Sequence, residues 1–166
     1  AIRQIIIRTN THSATRSNRD IRSHVSAIFS HEYQTVSALL HKKTLLPTLW
    51  GENMENQLFV NVLEKTRVEI DPSFDEQYQR RFDGGATWPS SVLVNVGGGA
   101  KYEATVIHPK GDPENPLTKR EIVEKFLGLT VPLLGDAANE VLTVVEDLEH
   151  LDDVRVLCQQ VAVRGT

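Results

Sequence analysis

The chain has 166 residues, of which 40% are hydrophobic and 24% charged, with a formal net charge of -4. This length suits one domain, and the apolar fraction excludes an intrinsically disordered chain. No apolar run approaches the ~20 residues of a membrane-spanning helix. We expect no signal peptide, because Arg3 and Arg8 interrupt the short apolar start.

The charge is divided unevenly along the chain. Residues 1–43 carry seven Lys or Arg and two Asp or Glu, a net of +5, and the rest carries eleven and twenty, a net of -9. A basic first quarter is compatible with nucleic acid, with an anionic small molecule, or with a solvated surface. Nucleic acid is the weaker choice, because dense Lys/Arg blocks and interleaved aromatic residues are missing.

Four segments have the alternating or β-rich apolar sequence of strands, at residues 2–9, 67–70, 91–96 and 102–107. Gly97, Gly98 and Gly99 predict a hairpin between the last two. Residues 10–18 are polar and predict a flexible loop. A long connection is expected over residues 72–90, with a helical turn near 76–81.

Helices are predicted by apolar spacings of three and four residues. The first covers residues 20–41, with a fresh start at an N-cap Ser30. The second is capped by Asn53 and has Leu58, Phe59, Val62 and Leu63 on its inner face. A third follows the capping box of Thr118 and Glu121, and two more cover residues 134–148 and 153–161. The prediction is an α+β, two-layer domain over residues 1–166, with a four-stranded, mostly antiparallel sheet packed with helices.

Most catalytic and metal-binding motifs are missing. The six histidines have no zincin spacing, G-x-S-x-G does not occur, and the VGGGAK stretch precedes a strand instead of a helix. Cys158, the one cysteine, reads as a small residue on a buried helix face. We therefore expect neither a metal nor another cofactor.

Two positions have a structural and a functional interpretation. Tyr33, on the helix after Ser30, is either a core tyrosine or a phenol that points into a cleft. Lys110 lies in HPKGDPENPLT, where three prolines, a glycine and Asn115 predict a rigid loop. That loop is either a stiff connector or a contact between Lys110 and an anion.

Taken in order, three stretches resemble the C-terminal region of the MmgE/PrpD family, which includes 2-methylcitrate dehydratase, cis-aconitate decarboxylase and iminodisuccinate epimerase. They are AIFSHEYQTVSALLHK (27–42), RVEIDPSFD (67–75) and HPKGDPENPLTKREIVEKF (108–126). A glycine commonly follows the A-L-L stretch in this family, whereas His41, Lys42 and Lys43 follow it here.

The resemblance implies a lid domain that shares a cleft with a helical N-terminal domain, and a chain that begins after most of the catalytic residues. It implies a role for Tyr33 at that cleft, a cytoplasmic or mitochondrial lyase-like enzyme, and a homodimer in the full-length form. The expected substrate is a tricarboxylic or related acid, which Arg19 and Arg22, with Arg16, help to attract. The alternative is a stand-alone, non-catalytic binding module that retains the lid fold.

Overall fold

The computed structural model describes residues 1–42, 50–79 and 87–162. The chain divides into two compact units, Ala1–Pro116 and Leu117–Thr166. Lys43 and residues 80–86 of the connection predicted over residues 72–90 lie outside the described residues. None of the helices described is long and apolar enough to cross a bilayer.

The first unit is built on a four-stranded sheet, in the order β2-β1-β3-β4. Its strands are β1 (Ile2–Thr9), β2 (Thr66–Ile70), β3 (Ser90–Val96) and β4 (Lys101–Val106). Strand β1 pairs in parallel with β2 and antiparallel with β3, and β3 pairs antiparallel with β4. The predicted α+β class and the mostly antiparallel sheet are therefore confirmed.

Helices α1 to α6 belong to the same unit: Thr11–Ala14, His24–Ile28, His31–His41, Trp50–Glu55, Gln57–Leu63 and Pro72–Gln79. The predicted fresh start at Ser30 is confirmed, since the Ser30 side chain accepts a hydrogen bond from the Tyr33 amide at the start of α3. Because the helix breaks at Ser30, the apolar residues on its two sides do not share one buried face as they would in a continuous helix. Val25 and Phe29, before it, are each 60% exposed, whereas Tyr33 and Val36 are buried.

The core of this unit lies between one face of the sheet and helices α3 and α5. Ile5 and Ile7 of β1 meet Tyr33, Val36 and Phe59 there. Alternation along β1 places Ile5 and Ile7 on the same face, as the period of two residues requires. The outer strand β4 is exposed along its whole length.

The predicted helix start at Asn53 is wrong. Asn53 lies inside α4, and it is Asn56 whose side chain caps α5 by accepting from the amides of Leu58 and Phe59. Counted from this later start, Phe59, Val62 and Leu63 lie at i, i+3 and i+4 and are buried as predicted. The predicted burial of Leu58 is wrong, because Leu58 lies on another face of α5 and is 62% exposed.

The second unit contains helices α7 (Lys119–Leu134), α8 (Ala137–Glu146) and α9 (Arg155–Val161). The predicted capping box is confirmed: Thr118 Oγ1 accepts from the Glu121 amide, and Glu121 Oε2 accepts from the Thr118 amide. Only Ala138 and Val141, both in α8, are buried among the helical residues described for this unit.

Two burial predictions for the second unit are wrong. Ile122 and Leu129 of α7 are 53% and 38% exposed, so the predicted inner face of this helix is not covered within the unit. Cys158 of α9 is exposed instead of buried. The physical reason is the same for both, since α7 and α9 each pack mainly against α8 in this small unit.

Candidate active site around Tyr33

Tyr33 lies in the first turn of α3, and its side chain is 1% exposed. Its ring packs on Phe59 with the ring centroids 5.0 Å apart and the planes tilted by 50°. Ile5 and Val36 belong to the same cluster. In this chain the predicted site residue is thus a core residue, and its hydroxyl is the polar part of an otherwise apolar surrounding.

The Tyr33 hydroxyl is the first member of a hydrogen-bonded network. Asn53 Nδ2 donates to Tyr33 Oη at 2.8 Å, and Asn53 Oδ1 lies 2.7 Å from His41 Nε2. Asn53 is 2% exposed, whereas the His41 side chain is partly exposed. The network therefore runs from the core, through a buried amide, to an imidazole at the end of α3.

Two opposing effects act on the Tyr33 phenol. Burial raises its pKa above the ordinary value of 10.0, because the phenolate would lose its hydration, and the bond from Asn53 partly offsets this. The net direction is upward. Tyr33 is consequently a neutral hydrogen-bonding group at physiological pH.

The polar segment between β1 and α2 includes the short helix α1 and is held against α3, so it is not the flexible loop that its composition predicts. The buried Glu32 carboxylate accepts from Ser17 Oγ at 2.6 Å and from the Asn18 amide at 2.9 Å. His31 Nε2 lies 2.9 Å from the Ser13 carbonyl oxygen. At its other end, both carboxylate oxygens of Asp75 accept from Thr11.

The predicted substrate-binding arginines, Arg19 and Arg22, lie on this loop. Arg19 Nη1 reaches the Glu64 carbonyl oxygen at 3.4 Å. Arg22 pairs with Asp20 at 2.7 Å, and this contact lowers the pKa of the Asp20 carboxyl. Because Asp20 neutralises Arg22 locally, Arg19 is the better placed of the two to attract an anion.

Lys110 lies in another region of the first unit, on the exposed loop after the outer strand β4. Hydrogen bonds within the loop hold its shape: the Gly111 amide donates to the Asn115 carbonyl oxygen and Asn115 Nδ2 to the His108 carbonyl oxygen. None of the described contacts joins this loop to Tyr33, so the structure does not bring Lys110 and Tyr33 together.

The same loop gathers His108, Asp112 and Glu114, whose ligand atoms all lie within 4.8 Å of one another. One imidazole nitrogen and two carboxylate oxygens are donors that suit a divalent cation. His108 Nδ1 also lies 3.8 Å from Glu114 Oε2, and the two side chains are 35% and 42% exposed. We assign no metal to this cluster.

The sequence predicted a site role for Tyr33 and none for Asn53, His41 or Glu32, which the structure places in contact with Tyr33 or on the same helix, α3. One signal for His41 was available, since Tyr33, Ser37 and His41 follow one another at intervals of four and so lie along one side of a helix. Asn53 gave no such signal, because it is twenty residues from Tyr33 and resembles an N-cap.

The C-terminal domain of the MmgE/PrpD family matches this chain over residues 1–151. A search of curated proteins finds no match. The matched region contains all three stretches that carry the resemblance, together with the Tyr33 network and the two loops described above. Since the match covers well over half of this chain, the chain belongs to the MmgE/PrpD family.

Proposed function

We propose that the chain is the lid-domain part of a lyase-like enzyme that acts on a tricarboxylic or related acid, in the manner of 2-methylcitrate dehydratase or cis-aconitate decarboxylase. The observation that carries this proposal is the Tyr33–Asn53–His41 network within the C-terminal domain of an enzyme family. A buried polar network of this kind costs stability unless every member is satisfied, and function is one reason to keep it.

The chemistry requires a base, an acid and cations. Dehydration, decarboxylation and epimerisation of such acids build negative charge on a carbon beside a carboxylate. The base and the acid transfer protons in these reactions, and the cations stabilise the negative charge. The network supplies the ionisable side chains of Tyr33 and His41, and Arg19 and Arg22 are the cations that we assign to the substrate carboxylates. Lys110, on a loop that none of the described contacts joins to Tyr33, is proposed as a separate anion contact. No step of this chemistry calls for a redox cofactor.

We further propose that a helical N-terminal domain of the same protein completes the site. The second unit supports such a partner, because apolar side chains of its helices remain uncovered within it. Leu133 of α7 is 70% exposed, Val154, before α9, is 59% exposed, and Val131 is 44% exposed. Where such side chains form one contiguous patch, they mark a contact with another protein surface.

The test is an assay of the full-length protein, of this chain alone, and of this chain mixed with the helical domain. We expect the full-length protein to turn over 2-methylcitrate, cis-aconitate or an epimerisable diacid, and this chain alone to be inactive. If neither the full-length protein nor the reconstituted pair transformed any of these acids, the enzyme proposal would be wrong.

The second candidate function is a non-catalytic binding module. Two observations favour it: Tyr33 is 1% exposed, and Arg22 is already paired with Asp20. Binding of a tricarboxylate without turnover, measured by calorimetry on the full-length protein, would support this candidate over the enzyme.

A further inference from the structure

The Tyr33–Asn53–His41 network has an inner and an outer end. Tyr33 and Asn53 are 1% and 2% exposed, so neither touches a substrate in this arrangement of the side chains. His41 is the partly exposed member. Any chemical action of the network on a bound molecule has to pass through the His41 imidazole.

The position of the His41 ring is defined by two contacts. Its Nε2 atom lies 2.7 Å from Asn53 Oδ1, and its plane stacks on Phe59 with the centroids 6.4 Å apart and the planes 25° apart. Phe59 is fully buried. The imidazole is therefore oriented by groups that cannot easily move, as a preorganised catalytic side chain requires.

The direction of the hydrogen bonds selects one tautomer of His41. The Asn53 amide donates through Nδ2 to Tyr33 Oη, so its oxygen faces His41. A carbonyl oxygen only accepts, so Nε2 carries a hydrogen. The neutral ring then has its lone pair on Nδ1, and none of the hydrogen bonds among the described residues uses that atom.

We propose that His41 is a proton-transfer residue of this enzyme, acting through Nδ1, and that Asn53 and Tyr33 are its positioning residues. This inference rests on the proposed function, and it moves the chemical role from Tyr33 to His41. The arrangement resembles other catalytic histidines in physical logic, where a hydrogen bond on one ring nitrogen fixes the tautomer that leaves the other nitrogen basic.

The proton transfer balances without a further reactant. In dehydration or epimerisation, His41 Nδ1 takes the proton from a carbon beside a substrate carboxylate; the C–H bond breaks, an N–H bond forms, and the electron pair stays on the carbon, spread into the carboxylate. In decarboxylation the C–C bond to the departing CO2 breaks, and the protonated His41 gives its Nδ1 proton to the carbon that keeps the electron pair. The Nε2–H bond to Asn53 Oδ1 persists in the imidazolium and stabilises it. The proton then returns to carbon, or leaves as water with a substrate hydroxyl.

The first test is independent of activity. In the full-length protein, ¹⁵N NMR of His41, assigned by its loss in His41→Gln, should show the Nε2–H tautomer alone. Asn53→Leu should produce a mixture of tautomers, whereas Asn61→Leu, an exposed substitution in α5, should leave the signal unchanged. A wild-type Nδ1–H tautomer would overturn the inference.

The second test measures kcat with whichever of the acids named above the wild type transforms. We expect His41→Ala to lower kcat by roughly 10²–10⁴-fold, with partial rescue by added imidazole. His150→Ala, in the exposed turn after α8, is the matched control and should keep wild-type kcat.

The outcomes separate the two proposals. An active wild type with an equally active His41→Ala variant would overturn the role of His41 and leave the proposed function standing. A wild type that transforms none of the acids would overturn the proposed function, and the role of His41 with it. If Tyr33→Phe lost activity while the His41 tautomer and His41→Ala activity stayed at wild-type values, Tyr33 itself would be the catalytic group.

Discussion

Asn53 Nδ2 and Tyr33 Oη are joined by a 2.8 Å hydrogen bond across twenty residues of sequence. The bond links α3 to α4 inside the core, and it turns the one polar atom of the Tyr33 side chain into part of a network. The contact lies in the core of the first unit and in the site proposed for chemistry, and the following predictions separate its role in stability from its proposed role in chemistry.

Asn53→Leu should lower the free energy of unfolding by about 1–3 kcal/mol, because it leaves the buried Tyr33 hydroxyl without its partner. Urea denaturation measures this. Asn61→Leu, exposed on α5, should change the value by less than about 0.5 kcal/mol. In Tyr33→Phe the hydroxyl is gone, so adding Asn53→Leu should cost less there than in the wild type. Equal costs in both backgrounds would argue against the hydrogen bond.

Tyr33 should make the protein less stable at alkaline pH. Its pKa is raised in the folded state, so its contribution to stability is complete below the unfolded value of 10.0 and is lost as pH rises through the folded pKa. Tyr33→Phe should therefore show a shallower loss of unfolding free energy above pH 10.0. Tyr102→Phe, 65% exposed on β4, should keep the wild-type slope. A Tyr33→Phe slope that equals the wild-type slope contradicts the prediction.

Glu32→Gln should release the loop that carries Arg16 and Arg19. The carboxylate accepts from Ser17 and Asn18, and an amide can use only one oxygen for these donors. If the loop loses roughly 1.4 kcal/mol of closing energy, limited trypsin cleavage after these arginines should rise about tenfold. Glu76→Gln, exposed on α6, serves as the control and should be cleaved at the wild-type rate.

Asp20→Asn should lower KM for a polyanionic substrate, because it removes the charge that neutralises Arg22. Arg22→Ala should then raise KM less than Arg19→Ala does. Asp153→Asn removes the partner of Arg155 in the second unit in the same way and should leave KM unchanged. These differences should shrink in 1 M salt, where charges are screened within about 3 Å. If reversing the charge of Arg19 and Arg22 together does not change KM, the loop has no role in attracting the substrate.

Thr118→Ala should destabilise the second unit by about 1 kcal/mol, because it removes the capping box at the start of α7. Thr143→Ala is the matched control. Thr143 bonds back to the Asn139 carbonyl oxygen within α8, and alanine there should be neutral or slightly stabilising. Circular dichroism during thermal unfolding measures both, and a Thr118→Ala curve that overlays the wild type would refute the capping role.

Much of the local structure could be predicted from residue patterns. Ser30 and Thr118 are N-caps as predicted, because capping is decided by side chains within three residues. Gly98 and Gly99 adopt positive φ in the β3–β4 turn, where other residues would be strained. These features depend on neighbours in sequence, so no knowledge of the tertiary fold was needed.

The family, the α+β class and the position of Tyr33 on a helix that begins after Ser30 could all be predicted, because they follow from short-range spacing and from three ordered stretches. The surroundings of Tyr33 could not be predicted in this way, because they depend on the packing of α3 against α4 and α5. From its sequence position Asn53 resembles a helix cap, but in the structure it is the buried hydrogen-bond partner of Tyr33. His41 resembles an ordinary helix end, but it is the partly exposed member of the network. Contacts between residues twenty positions apart depend on how helices pack, and single-sequence periodicity holds no information about that packing.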